Sequence, residues 1–390
     1  MRNVYLFINM HFSIGISLYA SEEENTIFKL TREHGLTIGK IKNKENVTKS
    51  ALASLRIGVK SYFKTYQVAS DKRVVKDMYI EKDHPFYEDS MERIALFCEN
   101  TDYQEVYLQC VFHFHHFFEL LLKDILGSVH PKLAYKVNLN GDNSSTILDV
   151  LLNKRPYDLT SDNTAEFMTS LNRVISLMKL EGDTSSIPVI SKIISDNKQT
   201  LVDLNQLRNR VWHKGVYVLR LNELDQFISQ NVFPLVNKCL EFSDYNKLES
   251  YWKYKKSTLD PINEIIKSGQ EQIDYERIAF FKAYGLACYT IPIWKFDLDQ
   301  IEERANAIVK AIDDMDVTTC FVCNMETLLV STETDFDTDE EGAPVSIWVK
   351  SIGAECLNCS LKISPDIGEP QSHGVDCDIL WRFEDVLTET

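Results

Sequence analysis

The sequence predicts a mainly α, multi-domain protein with a mixed α/β beginning and a small strand-rich module at its C-terminus. Three observations carry this expectation. Helical periodicity dominates residues 85–244, the last stretch alternates strand-like segments with turns, and two Cys-x-x-Cys pairs fall within that last stretch. At 390 residues the chain exceeds one ordinary core, so two or three domains are expected. The divisions are a mixed α/β region with a basic segment (1–85), a helical domain (86–245), a helical connector (246–312) and an acidic module (313–390).

Hydrophobic residues at 44% and charged residues at 26% exclude a globally disordered chain. Near the N-terminus, Val4 to Ala20 is apolar and follows Arg2, as a secretory leader would be. Asn9 and His11 interrupt it, and Leu18 fits a small-x-small cleavage site poorly. Alternation of Tyr5, Phe7, Asn9 and His11 predicts a strand or hairpin instead. The apolar run Val106 to Leu126 holds His113, His115, His116, Glu119, Lys123 and Asp124, which argues against a membrane span. A cytoplasmic protein without membrane attachment is the expectation.

Net charge is −16 but unevenly spread. From Asp313 to Thr390 there are 18 acidic and 3 basic residues, so the preceding chain is nearly neutral. Within it, Lys40 to Lys76 carries ten basic residues against Glu45 and Asp71, a stretch that attracts polyanions or simply forms a solvated face.

The helical patterns follow in order. Val47 to Tyr66 is compatible with a helix. Thr101 and Gln104 have capping-box spacing and open a helix to Gly127. Asn143 to Ser145 offers caps for a short helix ended by Pro156. Thr164 to Leu180 places Phe167, Leu171, Val174, Ile175 and Met178 on one face. Leu201, Leu204, Leu207 and Val211 mark a helix that stops near Gly215, and Asn222 is a cap for the next, with a kink at Pro234. Asp274 to Cys288 and Leu298 to Ile312 are two more. Thr327 to Val330 and Val345 to Val349 read as strands around an acidic loop, Asp335 to Glu341.

Of nine cysteines, Cys98, Cys110, Cys239 and Cys288 lie in apolar helical stretches and read as buried thiols. Cys320, Cys323, Cys356 and Cys359 form C-x2-C, 32 intervening residues, C-x2-C. Two such turns bring four thiolates around one ion, so a structural Zn2+ in a zinc-ribbon-like module is expected. Four soft ligands leave no position for water, hence no catalytic role for the metal. His373 and Cys377 are candidate substitute ligands or hydrogen-bonding supports. The acidic surroundings oppose phosphate contact by this module.

The segment Leu207 to Gly215 reads Leu-Arg-Asn-Arg-Val-Trp-His-Lys-Gly. On an ideal helix Arg208 and His213 lie about 140° apart and roughly 7.5 Å along the axis. RNA carries its own nucleophile, the 2′-hydroxyl. Its cleavage needs a proton carrier active near neutral pH, which His213 supplies, and a fixed cation for the phosphoryl oxygens, which Arg208 supplies. Asn209 can orient the phosphate or the histidine. A lone Arg and His near a helix end also commonly cap carbonyls, so the context decides.

Arg208-Asn209-x-x-x-His213, at the end of a helical array whose first long helix carries His113-Phe-His115-His116-Phe-Phe-Glu119-Leu-Leu-Leu-Lys123, resembles the signature of HEPN domains. These form a helical ribonuclease fold found in toxins and phage-defence proteins, and the resemblance covers roughly residues 88–244. It implies a HEPN-like bundle, a metal-independent RNA endonuclease with Arg208, His213 and Asn209 catalytic, and no cofactor for catalysis. It also implies a 2′,3′-cyclic phosphate product, a symmetric homodimer, and a protein trigger or inhibitor. Glu119 and His116 are the expected supporting residues, with Glu119 pairing Arg208 or Arg210. Spacing of His113, His116 and Glu119 also suits metal ligation, but no second Glu-x-x-His helix is present, so a polar cluster packing against the Arg208–His213 helix is favoured. Trp212 is read as core or interface. The competing functional readings are a non-catalytic dimeric adaptor whose zinc module docks a protein, and a DNA-binding regulator using Lys40 to Lys76.

Overall fold

The computed structural model describes residues 44–80, 83–135, 164–181, 188–214, 217–241, 243–255, 257–292, 298–338, 344–377, 381 and 384–385. The N-terminal strand or hairpin and the short helix before Pro156 fall outside these residues. Contacts group Val47–Thr390 into one compact unit, and Met1–Asn46 into another of which only Lys44–Asn46 are described.

The unit is mainly helical, with a small antiparallel sheet near the C-terminus. Helix α1 (Lys44–Asp71) precedes α2 (Tyr87–Cys98) and α3 (Thr101–Val129). Thr48 pairs with Asp124, Ser54 with His116 and Ser61 with Gln109, so α1 and α3 run antiparallel. Tyr103, Tyr107, Phe114, Phe117, Phe118 and Leu121 of α3 are buried, making this helix the centre of the core. Its start differs from the sequence expectation. Asn100, not Thr101, is the cap: its Oδ1 accepts from the N–H groups of Asp102 (3.0 Å) and Tyr103 (3.2 Å). Gln104 instead donates to Cys98 O (3.1 Å). An asparagine amide one residue earlier reaches both orphan donors, so the Thr101 hydroxyl is not needed.

Helices α4 (Phe167–Glu181), α5 (Ile190–Asp196) and α6 (Lys198–Lys214) follow, and both α4 and α6 pack on α3. Helix α7 (Leu221–Phe227) opens at Arg220, whose backbone N–H donates to Glu223 Oε2 (3.3 Å). Asn222 lies inside the helix rather than capping it, with its Oδ1 accepting from Glu223 N–H (3.0 Å). A π-helical turn, Ile228–Val232, joins α7 to α8 (Phe233–Leu240). The break expected at Pro234 takes this form because proline cannot donate to the i−4 carbonyl and the ladder slips by one residue before it.

After the short α9 (Ser243–Asn246) come α10 (Pro261–Ser268), α11 (Tyr275–Thr290) and α12 (Leu298–Ala311). Asp260 and Asp274 cap α10 and α11 by accepting from backbone N–H groups. The sheet orders β1 (Met315–Thr319), β2 (Glu326–Thr338), β3 (Pro344–Cys356) and β4 (Lys362–Ile363), all antiparallel, with β5 (Glu384–Asp385) also on β3. Asp335 to Thr338, expected in a loop, pair as strand with Pro344 to Trp348. α12 covers β1 and β2. The buried core is continuous from Ala51 to Val375 and crosses positions 85/86, 245/246 and 312/313. Among the described residues no helix is long and apolar enough to cross a membrane.

Candidate functional site

Four cysteines converge at the sheet end of the core. The register pairs Leu328 of β2 with Cys356 of β3, which brings the two Cys-x-x-Cys turns side by side. The turns share one hydrogen-bond pattern. Cys320 N–H donates to Met325 O and Cys356 N–H to Leu361 O, both at 2.8 Å, five residues on in each case. Asn324 N–H returns to Cys320 O (2.8 Å) and Ser360 N–H to Cys356 O (2.9 Å). Asn324 (φ 58°) and Ser360 (φ 56°) hold the left-handed position that closes each turn.

All four sulfurs lie within 4.8 Å of one another, with Cys320–Cys359 and Cys323–Cys356 at 3.6 Å. Four Zn–S bonds of about 2.3 Å in a tetrahedron give S···S edges of about 3.8 Å, so the donor set fits one such ion. Cys359 N–H and Thr327 Oγ1 lie 3.5 Å and 3.2 Å from Cys356 Sγ. Mutual hydrogen bonds among the thiols split their acidities. Cys356 falls to about 7 and Cys323 falls further, while Cys320 and Cys359 rise.

His373 and Cys377 are not in this cluster. The buried His373 donates from Nε2 to Ile367 O (2.7 Å), and its ring lies 4.5 Å from that of Phe280. Cys98, Cys110, Cys239 and Cys288 behave as apolar thiols: the last three are buried, and burial pushes Cys98 up to about 11 and Cys288 to about 12.

The second site lies where α3 meets α6. Leu201 and Leu204 turn α6 into the core, leaving Asn205, Arg208 and Asn209 half-buried on the neighbouring face. The residue of α3 that engages this face is His115, which the sequence reading passed over in favour of His116. His115 is buried, donates from Nε2 to Asn205 Oδ1 (3.1 Å) and stacks on Phe167 at 4.2 Å. Its Nδ1 is 3.9 Å from Glu119 Oε2. Burial lowers its pKa first, the Asn205 bond and the Glu119 charge oppose this, and Arg208 and His116 add smaller lowering effects.

Glu119 takes a different partner from the one expected. Lys123 Nζ lies 2.7 Å from Glu119 Oε1 and also donates to Thr164 Oγ1 (3.1 Å). Burial raises the carboxyl, but the Lys123 ammonium outweighs it and holds Glu119 below its ordinary value. Arg210 is exposed and sits over the Tyr217 ring at 4.8 Å, away from Glu119. A lysine one helical turn along α3 reaches the carboxylate with less ordering than an arginine from another helix. His116 is exposed, and its Nδ1 lies 2.7 Å from Ser54 Oγ on α1 rather than facing α6. Arg208 Nη1 donates to Asn209 Oδ1 (3.0 Å). His213 is in the last turn of α6; its side chain and that of Trp212 lie outside the described residues.

The signal for His115 was present as an i, i+4 pair with Glu119, and for Asn205 as an i, i+3, i+4 set with Arg208 and Asn209. The basic stretch is partly used internally. Lys76 pairs with Asp366 (3.0 Å), Lys72 approaches Asp102 (3.9 Å), and Lys49 and Arg56 lie over Tyr251 and Tyr289. No family model matches the chain, and neither a curated protein nor a solved structure matches it.

Proposed function

We propose that the protein is a metal-independent RNA endonuclease of HEPN type, acting as a toxin-like effector of antiphage defence in the cytoplasm. The observation that carries this reading is the packing of α6 on α3. It sets Arg208 near the buried His115, with Asn209 bonded to the guanidinium and His213 further along α6.

In this reading His213 takes the proton from the ribose 2′-hydroxyl. The 2′-oxygen attacks phosphorus, the bond to the 5′-oxygen breaks, and a proton is delivered to that leaving oxygen. The products are a 2′,3′-cyclic phosphate and a 5′-hydroxyl. Arg208 offsets the charge that builds on the phosphoryl oxygens, and Asn209 fixes the direction of the guanidinium. His115, bonded to Asn205, holds the backbone of α6 in place three residues before Arg208. The active form is a homodimer with two such segments flanking one cleft, released by a protein trigger or held in check by a protein inhibitor. One Zn2+ bound by Cys320, Cys323, Cys356 and Cys359 serves structure alone, because four thiolates complete its shell.

The test is incubation of the wild-type chain with total RNA and a tRNA pool beside the Arg208→Ala and His213→Ala chains. Cleavage with 2′,3′-cyclic ends by wild type only is expected. Equal cleavage by His213→Ala removes the assignment. Intact RNA in every reaction, with a protein partner retained on pull-down, favours the dimeric adaptor.

A further inference from the structure

Helix α11 joins the cysteine cluster to the helical bundle, and its two sides have different partners. Every residue from Ile278 to Cys288 is buried. At 100° per residue, Phe280 and Tyr284 lie on one side, while Lys282, Gly285 and Tyr289 lie on the other.

The first side meets the cysteine turns. Phe321, between Cys320 and Cys323, lies nearly parallel to Tyr284 (6.2 Å, 12°) and Phe280 (6.2 Å, 21°). At the C-terminal end of the helix, Thr290 Oγ1 donates to Cys359 O. Both turns are thus held by α11, one through an aromatic stack and the other through the backbone carbonyl of Cys359.

The opposite side meets the bundle. Lys282 Nζ lies 2.8 Å from Asp225 Oδ1 of α7, with both side chains out of solvent. Lys282 also lies 4.7 Å above the Tyr62 ring of α1. Gly285 admits the Phe63 ring of α1 so closely that a Cβ there would be 2.4 Å from it. Two surface pairs add to the connection, Lys362 with Asp71 and Lys76 with Asp366. The turns have no separate interior: Cys320, Val322, Cys356, Cys359, Leu361 and Ile363 belong to the same core as the bundle.

We propose that metal occupancy of the four cysteines controls the stability of the whole helical bundle through α11, so that the cluster is a metal-dependent lock on the bundle and not an independent ribbon. The cysteine turns are short and closed mainly by their backbone bonds. Without a cation, the two turns lack the bonds through one ion that would cross-link their four sulfurs, so the Phe321 stack and the Cys359 carbonyl are held less firmly. The Phe280–Tyr284 side of α11 then loses its cover. Because the other side anchors α1 and α7, the loss passes into the bundle. Metal that binds only the folded cluster stabilises everything folded with it. The proposal stands on packing alone and does not depend on the nuclease reading.

The test follows far-UV circular dichroism of the full chain during heating, with saturating Zn2+ and after removal of the metal by a chelator under reducing conditions. One Zn2+ per chain is expected, and stripping lowers the helical midpoint by on the order of 10 °C. A Phe321→Ala chain keeps all four ligands. It is expected to bind one Zn2+ still, while the shift on stripping falls to less than about half. A helical midpoint that stays constant while Zn2+ is demonstrably removed overturns the proposal, as does a chain that binds no Zn2+. Retention of the full shift in Phe321→Ala overturns the route through α11. Complete loss of helix on stripping supports the lock in its strongest form.

Discussion

Lys282 of α11 and Asp225 of α7 form an ion pair at 2.8 Å inside the core, with relative side-chain exposures of 0% and 6%. Burial lowers the lysine pKa and raises that of the aspartate, and each partner opposes the shift of the other. Removing one partner leaves a buried charge without compensation. Lys282→Met is expected to cost about 3–5 kcal/mol, and Lys282→Met with Asp225→Leu to recover most of it. Urea denaturation of both chains and the wild type checks this. A double variant no more stable than the single one would mean the pair itself contributes net stability.

The cap of α3 is tested by two neighbouring substitutions. Asn100→Ala is expected to cost about 1 kcal/mol, because it abandons the N–H groups of Asp102 and Tyr103. Thr101→Ala should change stability by no more than about 0.5 kcal/mol. The reverse order of effects in thermal melts would place the cap at Thr101.

Acid should weaken the α3–α6 contact. Burial lowers the pKa of His115, and the bond to Asn205 and the Glu119 charge only partly offset it. The unfolded histidine, with a pKa of about 6.5, therefore gains a proton before the folded one does. Its contribution is present above that value and is lost as pH falls through it. His113 and His116 shift in the same direction, also by burial first. With Zn2+ kept saturating, the urea midpoint is expected to fall between pH 8 and pH 6. His115→Gln, which keeps a donor toward Asn205, should show a shallower fall. An identical pH slope in the variant would assign the effect to other groups.

Gly285 lets two helices approach. A Cβ there would meet the ring of Phe63 at 2.4 Å and 2.7 Å, and that ring is fully buried. Gly285→Ala gains helix propensity of up to about 1 kcal/mol but forces the ring to move, at about 1–3 kcal/mol. Net destabilisation of about 1–2 kcal/mol is expected. A rise in melting temperature would show that the helices separate at little cost.

Much was legible in the sequence where neighbouring residues alone decide the outcome. The Cys-x-x-Cys spacing identified Cys320, Cys323, Cys356 and Cys359, because each turn is closed by its own backbone bonds. Apolar periodicity located α4 and α6, since a helix follows from contacts three and four residues away, and a helix was also expected over α11 and, from the spacing of Thr101 and Gln104, over α3. Which side chains meet across helices follows no such local rule. Glu119 goes to Lys123, His115 rather than His116 faces α6, and α11 sits between the cysteine turns and the bundle, because packing of the whole core sets the rotation of each helix. The sequence by itself determined the cysteine cluster and the longer helices, among them α3, α4, α6, α11 and α12. Only the tertiary structure decided that the cluster shares its core with the bundle, since burial against a common helix depends on residues far apart in the chain.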